Sequence, residues 1–103
     1  YWTAANDNIP CIFIILNNQS YRILKVNIDY YRKKIREEVE TSGDYPYMDF
    51  PMVLNHTEIA KSMGVDAVRI TDPSEINTEI TKAINSKKPR LIELMIDGNL
   101  WWW

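Results

Sequence analysis

Asn17, Asn18, Gln19 and Ser20, with Tyr21 behind them, form the stretch of this chain whose residue types and position best suit ligand chemistry. A carboxamide oxygen is a neutral, hard ligand suited to Mg2+ or Ca2+, and so is a backbone carbonyl. A divalent ion that bridges a diphosphate needs few protein oxygens, because the phosphates supply the rest. Free amides at the start of a following helix would meet phosphate oxygens. The same residues also make a plain polar turn, with Asn17 or Asn18 as a cap or Asx turn, and spacing alone favours that plainer reading.

Other chemistry has less support. His56 is the single histidine, and no cysteine or aspartate at convincing spacing pairs with it for nucleophilic catalysis. It reads as a surface or capping neighbour. The three glycines, Gly43, Gly64 and Gly98, are too scattered for a GxGxxG or Walker loop. Cys11 alone excludes an internal disulfide and a cysteine zinc site, and it reads as an inert core thiol. The Asn-X-Ser/Thr triplets at Asn18 and Asn55 carry little weight without an export signal. The net charge of -2 leaves no dominant basic patch, so nucleic acid is not expected as a partner. Apolar runs are too short to span a bilayer, and a reducing cytoplasm is the default compartment.

The elements that must position the Asn-Asn corner follow from periodicity. Ile12 to Leu16 is an apolar, β-branched run that predicts a strand at about 11–16, buried on both faces and central in a parallel sheet. Ligands in such sheets sit just beyond the carboxyl ends of strands, where the carboxamides fall. Residues 1–8 read as a helix end. From Tyr21, residues Leu24, Ile28, Tyr31, Ile35 and Val39 recur on one helical face, with the run from Arg32 to Glu40 largely on a solvated one. Thr41 to Val53 is a long loop whose Tyr45, Tyr47 and Phe50 either line an entrance or fasten the loop to the body.

Asn55 and Glu58 predict a capped helix at about 56–63, closed by Gly64. A strand at 65–70 follows. Asp72 and Pro73 open another helix, with Ile76, Ile80, Ala83 and Ile84 on its core face. The last strand spans about 90–96. Strands alternating with helices imply an α/β domain with a parallel sheet. The ends, Tyr1-Trp2 and Trp101-Trp102-Trp103, suggest a piece of a longer polypeptide with a tail or artefact at 98–103.

The stretch "IFIILNNQSYRILK" resembles the second half of the thiamine-diphosphate motif of the acetolactate synthase, benzoylformate decarboxylase and pyruvate decarboxylase superfamily. That motif opens with Gly-Asp-Gly and closes with Asn-Asn. Around it, "YWTAANDNIP", "NHTEIAKSMGVDAVRITDPSEI" and "KPRLIELMID" are similar to the family's preceding helix, its later helix and strand, and its closing strand. The four segments stand in the family's order over residues 1–97.

This resemblance implies the C-terminal part of a diphosphate-binding domain, a three-layer α/β/α fold with about three parallel strands present. It implies thiamine diphosphate and Mg2+ as cofactors. Asn18 would give its side-chain oxygen and Ser20 its backbone carbonyl to the metal, and the Tyr21 amide would face the diphosphate. Asn17 would hold the turn, and Leu24 would lie near the substrate. A small 2-oxo acid is the implied substrate, for a decarboxylase or carboligase, and the full parent is implied to be a homo-oligomer, a dimer or tetramer.

Departures from the family are specific. The Gly-Asp-Gly half and the activating glutamate lie outside this chain, Arg22 stands where many relatives have Gly, and residues 32–52 have little counterpart. The isolated chain is therefore expected to be inactive and to carry no catalytic residue. A stand-alone α/β binding or interaction module, with a structural Asn-Asn corner, remains the other reading. No membrane partner is expected.

Overall fold

The computed structural model describes residues 1–38 and 43–99. Val39, Glu40, Thr41 and the tryptophan run at 101–103 lie outside the described residues. The elements in chain order are α1 (Trp2–Asn6), β1 (Ile12–Asn17), α2 (Arg22–Lys34), α3 (His56–Ser62), β2 (Asp66–Ile70), a 3-10 turn (Pro73–Glu75), α4 (Ile76–Ser86) and β3 (Arg90–Met95). They fall into two compact units. One comprises residues 1–17 and 55–96, the other the described residues of 18–54 and 97–99.

The first unit is a three-layer α/β/α arrangement about a parallel sheet of order β1-β3-β2. One face packs Phe13, Ile15, Ala67 and Leu91 against Ala60 of α3, with Tyr1 and Ala5 beside them. The other packs Ile12, Val68, Ile70 and Ile92 against Ile76, Ile80 and Ala83 of α4. Alternation along β3 decides which side chain goes where. Leu91 and Ile92 are both fully buried, on opposite faces, because β3 is the middle strand.

That arrangement corrects the expectation for Ile12–Leu16. Among the described strands β1 has one neighbour, β3, so it lies at an edge of the sheet. Ile14 and Leu16 are 50% and 62% exposed. Ile84 of α4, expected in the core, is also exposed.

Local capping signals behave as their chemistry requires. The Asn55 side chain accepts from the Glu58 amide at the start of α3, and Gly64 ends it at φ +85°. Asp72 accepts from the Ser74 amide with Pro73 behind it. Arg22 opens α2 without a positive φ, so nothing in the backbone there calls for glycine.

In the second unit α2 does not bury the apolar face its periodicity suggests. Leu24, Tyr31 and Ile35 are exposed, whereas Lys25 and Asp29 are buried. The reason is the loop that follows. Tyr45 donates its hydroxyl proton to Asp29 Oδ2 at 2.6 Å, and Lys25 Nζ meets Asp49 Oδ1 at 2.5 Å. These polar attachments select the buried face. Tyr45 and Phe50 fasten the loop, Phe50 by an edge-to-face contact with Tyr21 at 4.7 Å between centroids. Tyr47 points fully into solvent.

Candidate functional site

Asn18, the residue after β1, starts a tight polar turn. Its Oδ1 accepts the Ser20 amide proton at 3.1 Å, an Asx turn. Gln19 between them has φ +52°, a left-handed conformation that turns the chain. Ser20 is then buried and forms an antiparallel bridge with Asp49. Two backbone hydrogen bonds make that bridge: Tyr21 N–H to Met48 O at 2.8 Å and Phe50 N–H to Gln19 O at 2.9 Å.

The bridge fixes the direction of two further atoms. A trans peptide holds its C=O and N–H on opposite sides. The Tyr21 N–H points at Met48, so the Ser20 carbonyl in the same peptide points away from the loop. By the same rule the Ser20 N–H, opposite the Gln19 carbonyl, points away as well, and there it finds Asn18 Oδ1. The Ser20 carbonyl and the Asn18 carboxamide oxygen therefore share one side of the turn. A carbonyl oxygen accepts at two positions, so Asn18 Oδ1 retains capacity beyond the Ser20 amide.

The resemblance points the Tyr21 amide at a diphosphate; in the structure that amide donates to Met48 O at 2.8 Å. The amides that start α2 come next. Tyr21 is the N-cap of that helix and gives no side-chain cap hydrogen bond. The Tyr21 ring is about half exposed, and Leu24 is 43% exposed.

The Ser20 hydroxyl is buried without a partner at hydrogen-bond geometry, although it lies close enough to Asp49 to favour that carboxylate's charged form. The hydrogen bond from Lys25 is the larger influence, and the net effect holds the Asp49 carboxyl below its usual range. Gly98 backs the turn from its other end. A Cβ there would sit 2.4 Å from the Asn18 carbonyl oxygen.

Asn17, the last residue of β1, is buried, and its Nδ2 donates to Glu93 Oε1 at 2.7 Å. Arg69 Nε donates to Glu93 Oε2 at 2.9 Å. Glu93 is completely buried on the central strand. Burial alone raises its carboxyl, but the hydrogen bonds from Arg69 and Asn17 outweigh that and leave it lowered. Neither local pattern nor resemblance singles out Glu93. The available signal was an acid inside the otherwise apolar run Leu91–Met95.

As a donor set, a carboxamide oxygen and a backbone carbonyl on one side of a turn suit a hard cation, provided that other oxygens complete its shell. Groups of three or more His, Cys, Asp or Glu able to hold a metal are absent among the described residues. His56 stands at the first position of α3, and its charge adds a minor favourable influence on the Glu93 carboxylate.

The family model for the thiamine pyrophosphate enzyme C-terminal TPP-binding domain matches residues 1–94. The chain belongs to this family. Benzoylformate decarboxylase of Pseudomonas aeruginosa is 30% identical over 94 residues, which are 90% of this chain and 16% of that protein. A probable acetolactate synthase large subunit of Methanocaldococcus jannaschii is 30% identical over 95 residues, 92% of this chain and 15% of that one. Among solved structures, a thiamine diphosphate-dependent 4-hydroxybenzoylformate decarboxylase of Rhodococcus jostii RHA1 superposes with a TM-score of 0.72 at 29% identity, covering 93% of this chain and 16% of the other. The chain thus spans about a sixth of the length of these thiamine pyrophosphate enzymes.

Proposed function

We propose that this chain is the C-terminal part of the diphosphate-binding domain of a thiamine-diphosphate- and Mg2+-dependent decarboxylase or carboligase acting on a small 2-oxo acid. It contributes half of the Mg2+-diphosphate site. The observation that carries this reading is the shared direction of the Asn18 carboxamide oxygen and the Ser20 carbonyl, fixed by the bridge to Met48–Phe50.

In this reading Asn18 and Ser20 hold Mg2+ through those two oxygens. The diphosphate meets the amides at the start of α2, which have no side-chain cap from Tyr21. Tyr21 belongs to the cofactor-binding turn as the N-cap, and its amide stays with Met48, where it orients the Ser20 carbonyl. The chemistry that thiamine diphosphate supplies when bound is an electron sink for decarboxylation of a 2-oxo acid or its joining to a second carbonyl. This chain's residues bind and orient; none of them moves the reacting proton.

Both proposed metal ligands are neutral. They leave the charge of Mg2+ to the phosphates and to an acidic ligand elsewhere in the parent, so the 103-residue chain binds the pair weakly and is inactive by itself. The parent is a homo-oligomer in this reading.

A paramagnetic titration tests it. Mn2+ added with thiamine diphosphate should broaden the Asn18 side-chain amide and the Tyr21 amide before other resonances. Broadening that begins at exposed acids such as Asp7 or Asp66, with the Asn18 signals untouched, overturns the assignment. A second reading, a binding module whose corner is purely structural, draws on the internal Asn18–Ser20 hydrogen bond, and an untouched Asn18 favours it.

A further inference from the structure

Lys25 stands out among the charged residues of this chain because its burial runs against local electrostatics. It lies in the first turns of α2, where the helix dipole disfavours a cation. Its side chain is only 10% exposed. A buried ammonium at such a place must be paired. Its partner is Asp49, at 2.5 Å, and its charge also rests over the Tyr45 ring, 5.5 Å from the centroid. Tyr45 in turn is bonded to Asp29, one turn further along α2. Two buried polar residues of one helix thus grip the loop at Tyr45 and at Asp49.

Asp49 is the residue that faces Ser20 in the antiparallel bridge. Its neighbours Met48 and Phe50 supply both hydrogen bonds of that bridge. The direction of the Ser20 carbonyl is set by the Tyr21–Met48 bond, which holds the other side of the same peptide. A force that holds Asp49 in place therefore holds the Ser20 carbonyl in place.

We propose that Lys25 is a positioning residue for the metal site: through Asp49 it locks the Met48–Phe50 segment against Gln19–Tyr21 and so keeps the Ser20 carbonyl turned toward the side of the Asn18 carboxamide. This rests on the magnesium-diphosphate reading for its functional meaning, and the clamp itself is measurable without any ligand. Lys25 does not touch the metal. It acts at one remove, as residues behind a metal ligand commonly do, where their loss weakens affinity about 10- to 100-fold.

Amide hydrogen exchange on the whole chain reads the clamp. Lys25→Met should speed exchange of the Tyr21 and Phe50 amides by at least about tenfold while the β3 amides stay protected, since a local opening is distinct from global unfolding. Asp49→Asn should do the same, and Lys25→Arg, which keeps the charge, should restore protection. Unchanged exchange at Tyr21 and Phe50 in Lys25→Met overturns the proposal. So does equal loss of protection on β3, which would make Lys25 a general stability residue.

Mn2+ with thiamine diphosphate then separates the two claims. Weaker broadening at Asn18 in Lys25→Met, recovered in Lys25→Arg, supports the positioning role. Equal broadening in both variants and the unsubstituted chain overturns it. Absence of broadening at Asn18 in the unsubstituted chain sinks the metal reading instead, and the exchange result still decides the clamp.

Discussion

Asn17 and Glu93 lock the end of an edge strand to the middle of the sheet. They are 76 residues apart in the chain and joined at 2.7 Å. In the sheet register Glu93 lies opposite Ile15 on one side and Arg69 on the other. Asn17, two residues beyond Ile15, is on the same face by alternation. One carboxylate thus accepts hydrogen bonds from both flanking strands. The strand end from which Asn18 departs is held by a buried, satisfied polar network rather than by apolar contact alone.

Removing the carboxylate should cost more than the network contributes. Glu93→Ala leaves Asn17 and the Arg69 guanidinium facing a void, and breaking a buried pair on one side costs about 3–5 kcal/mol. Arg69 is partly exposed, which places the expected loss at the low end, about 3 kcal/mol. Glu93→Gln keeps the volume and one acceptor and should lose less. Urea unfolding followed by far-UV circular dichroism measures both. Equal stability of Glu93→Ala and the unsubstituted chain would refute the role given to this network.

The same carboxylate sets an acid limit. Its folded-state pKa lies below the ordinary 4.5, because the hydrogen bonds from Arg69 and Asn17 outweigh desolvation. A depressed carboxyl contributes stability that is present above the unfolded pKa and lost as the pH falls through the folded one. Stability should therefore decline on acidification below about pH 4.5, and Glu93→Gln should flatten that decline. A pH series of urea midpoints reads the difference.

Tyr45 sets a limit at the other end. Burial first, and then its hydrogen bond to Asp29, push the phenol up to about 12 from 10.0. A raised phenol contributes stability that is complete below the unfolded pKa and disappears as the pH rises through the folded value. The attachment of the loop to α2 should weaken between roughly pH 10 and 12. Absorbance at the phenolate band should show one tyrosine that titrates late, and Tyr45→Phe should remove it. If all six tyrosines titrate together, the Tyr45–Asp29 bond does not hold in solution.

Much of the first unit is legible in the sequence because its signals are local. Asn55, Gly64, Asp72 and Pro73 each act within a few residues, and the caps form where those residues stand. Features set by distant partners are not legible. Apolar spacing on α2 suggests a core face, but Lys25 and Asp29 are drawn inward by Asp49 and Tyr45 in the following loop. Apolarity of Ile12–Leu16 suggests a strand covered on both sides, although its place at an edge leaves Ile14 and Leu16 open. Asn18 and Ser20 could be named as a pair from residue type and resemblance. That the Tyr21 amide orients the second of them, and does so by bonding Met48, depends on a loop whose path no local pattern encodes.

Gly98 provides a test of the Asn18 corner that leaves its ligand atoms intact. The alanine Cβ would stand 2.4 Å from the Asn18 carbonyl oxygen, a backbone atom that cannot rotate aside. Either the Asn18 peptide or the Asp97–Asn99 turn must move. That turn is held by a local hydrogen bond from the Asn99 amide to Asp97 Oδ1 at 2.8 Å, so part of the displacement falls on Asn18. Gly98→Ala should shift the Asn18 and Ser20 amide resonances and weaken Mn2+ broadening at the Asn18 side chain. The β3 amides should keep their positions and protection. Asn99→Ala, which retains the backbone amide and adds no atom near Asn18, is the matched control. If Gly98→Ala leaves both the resonances and the broadening unchanged, the close approach of Gly98 to Asn18 does not exist in solution, and this turn has no part in shaping the corner.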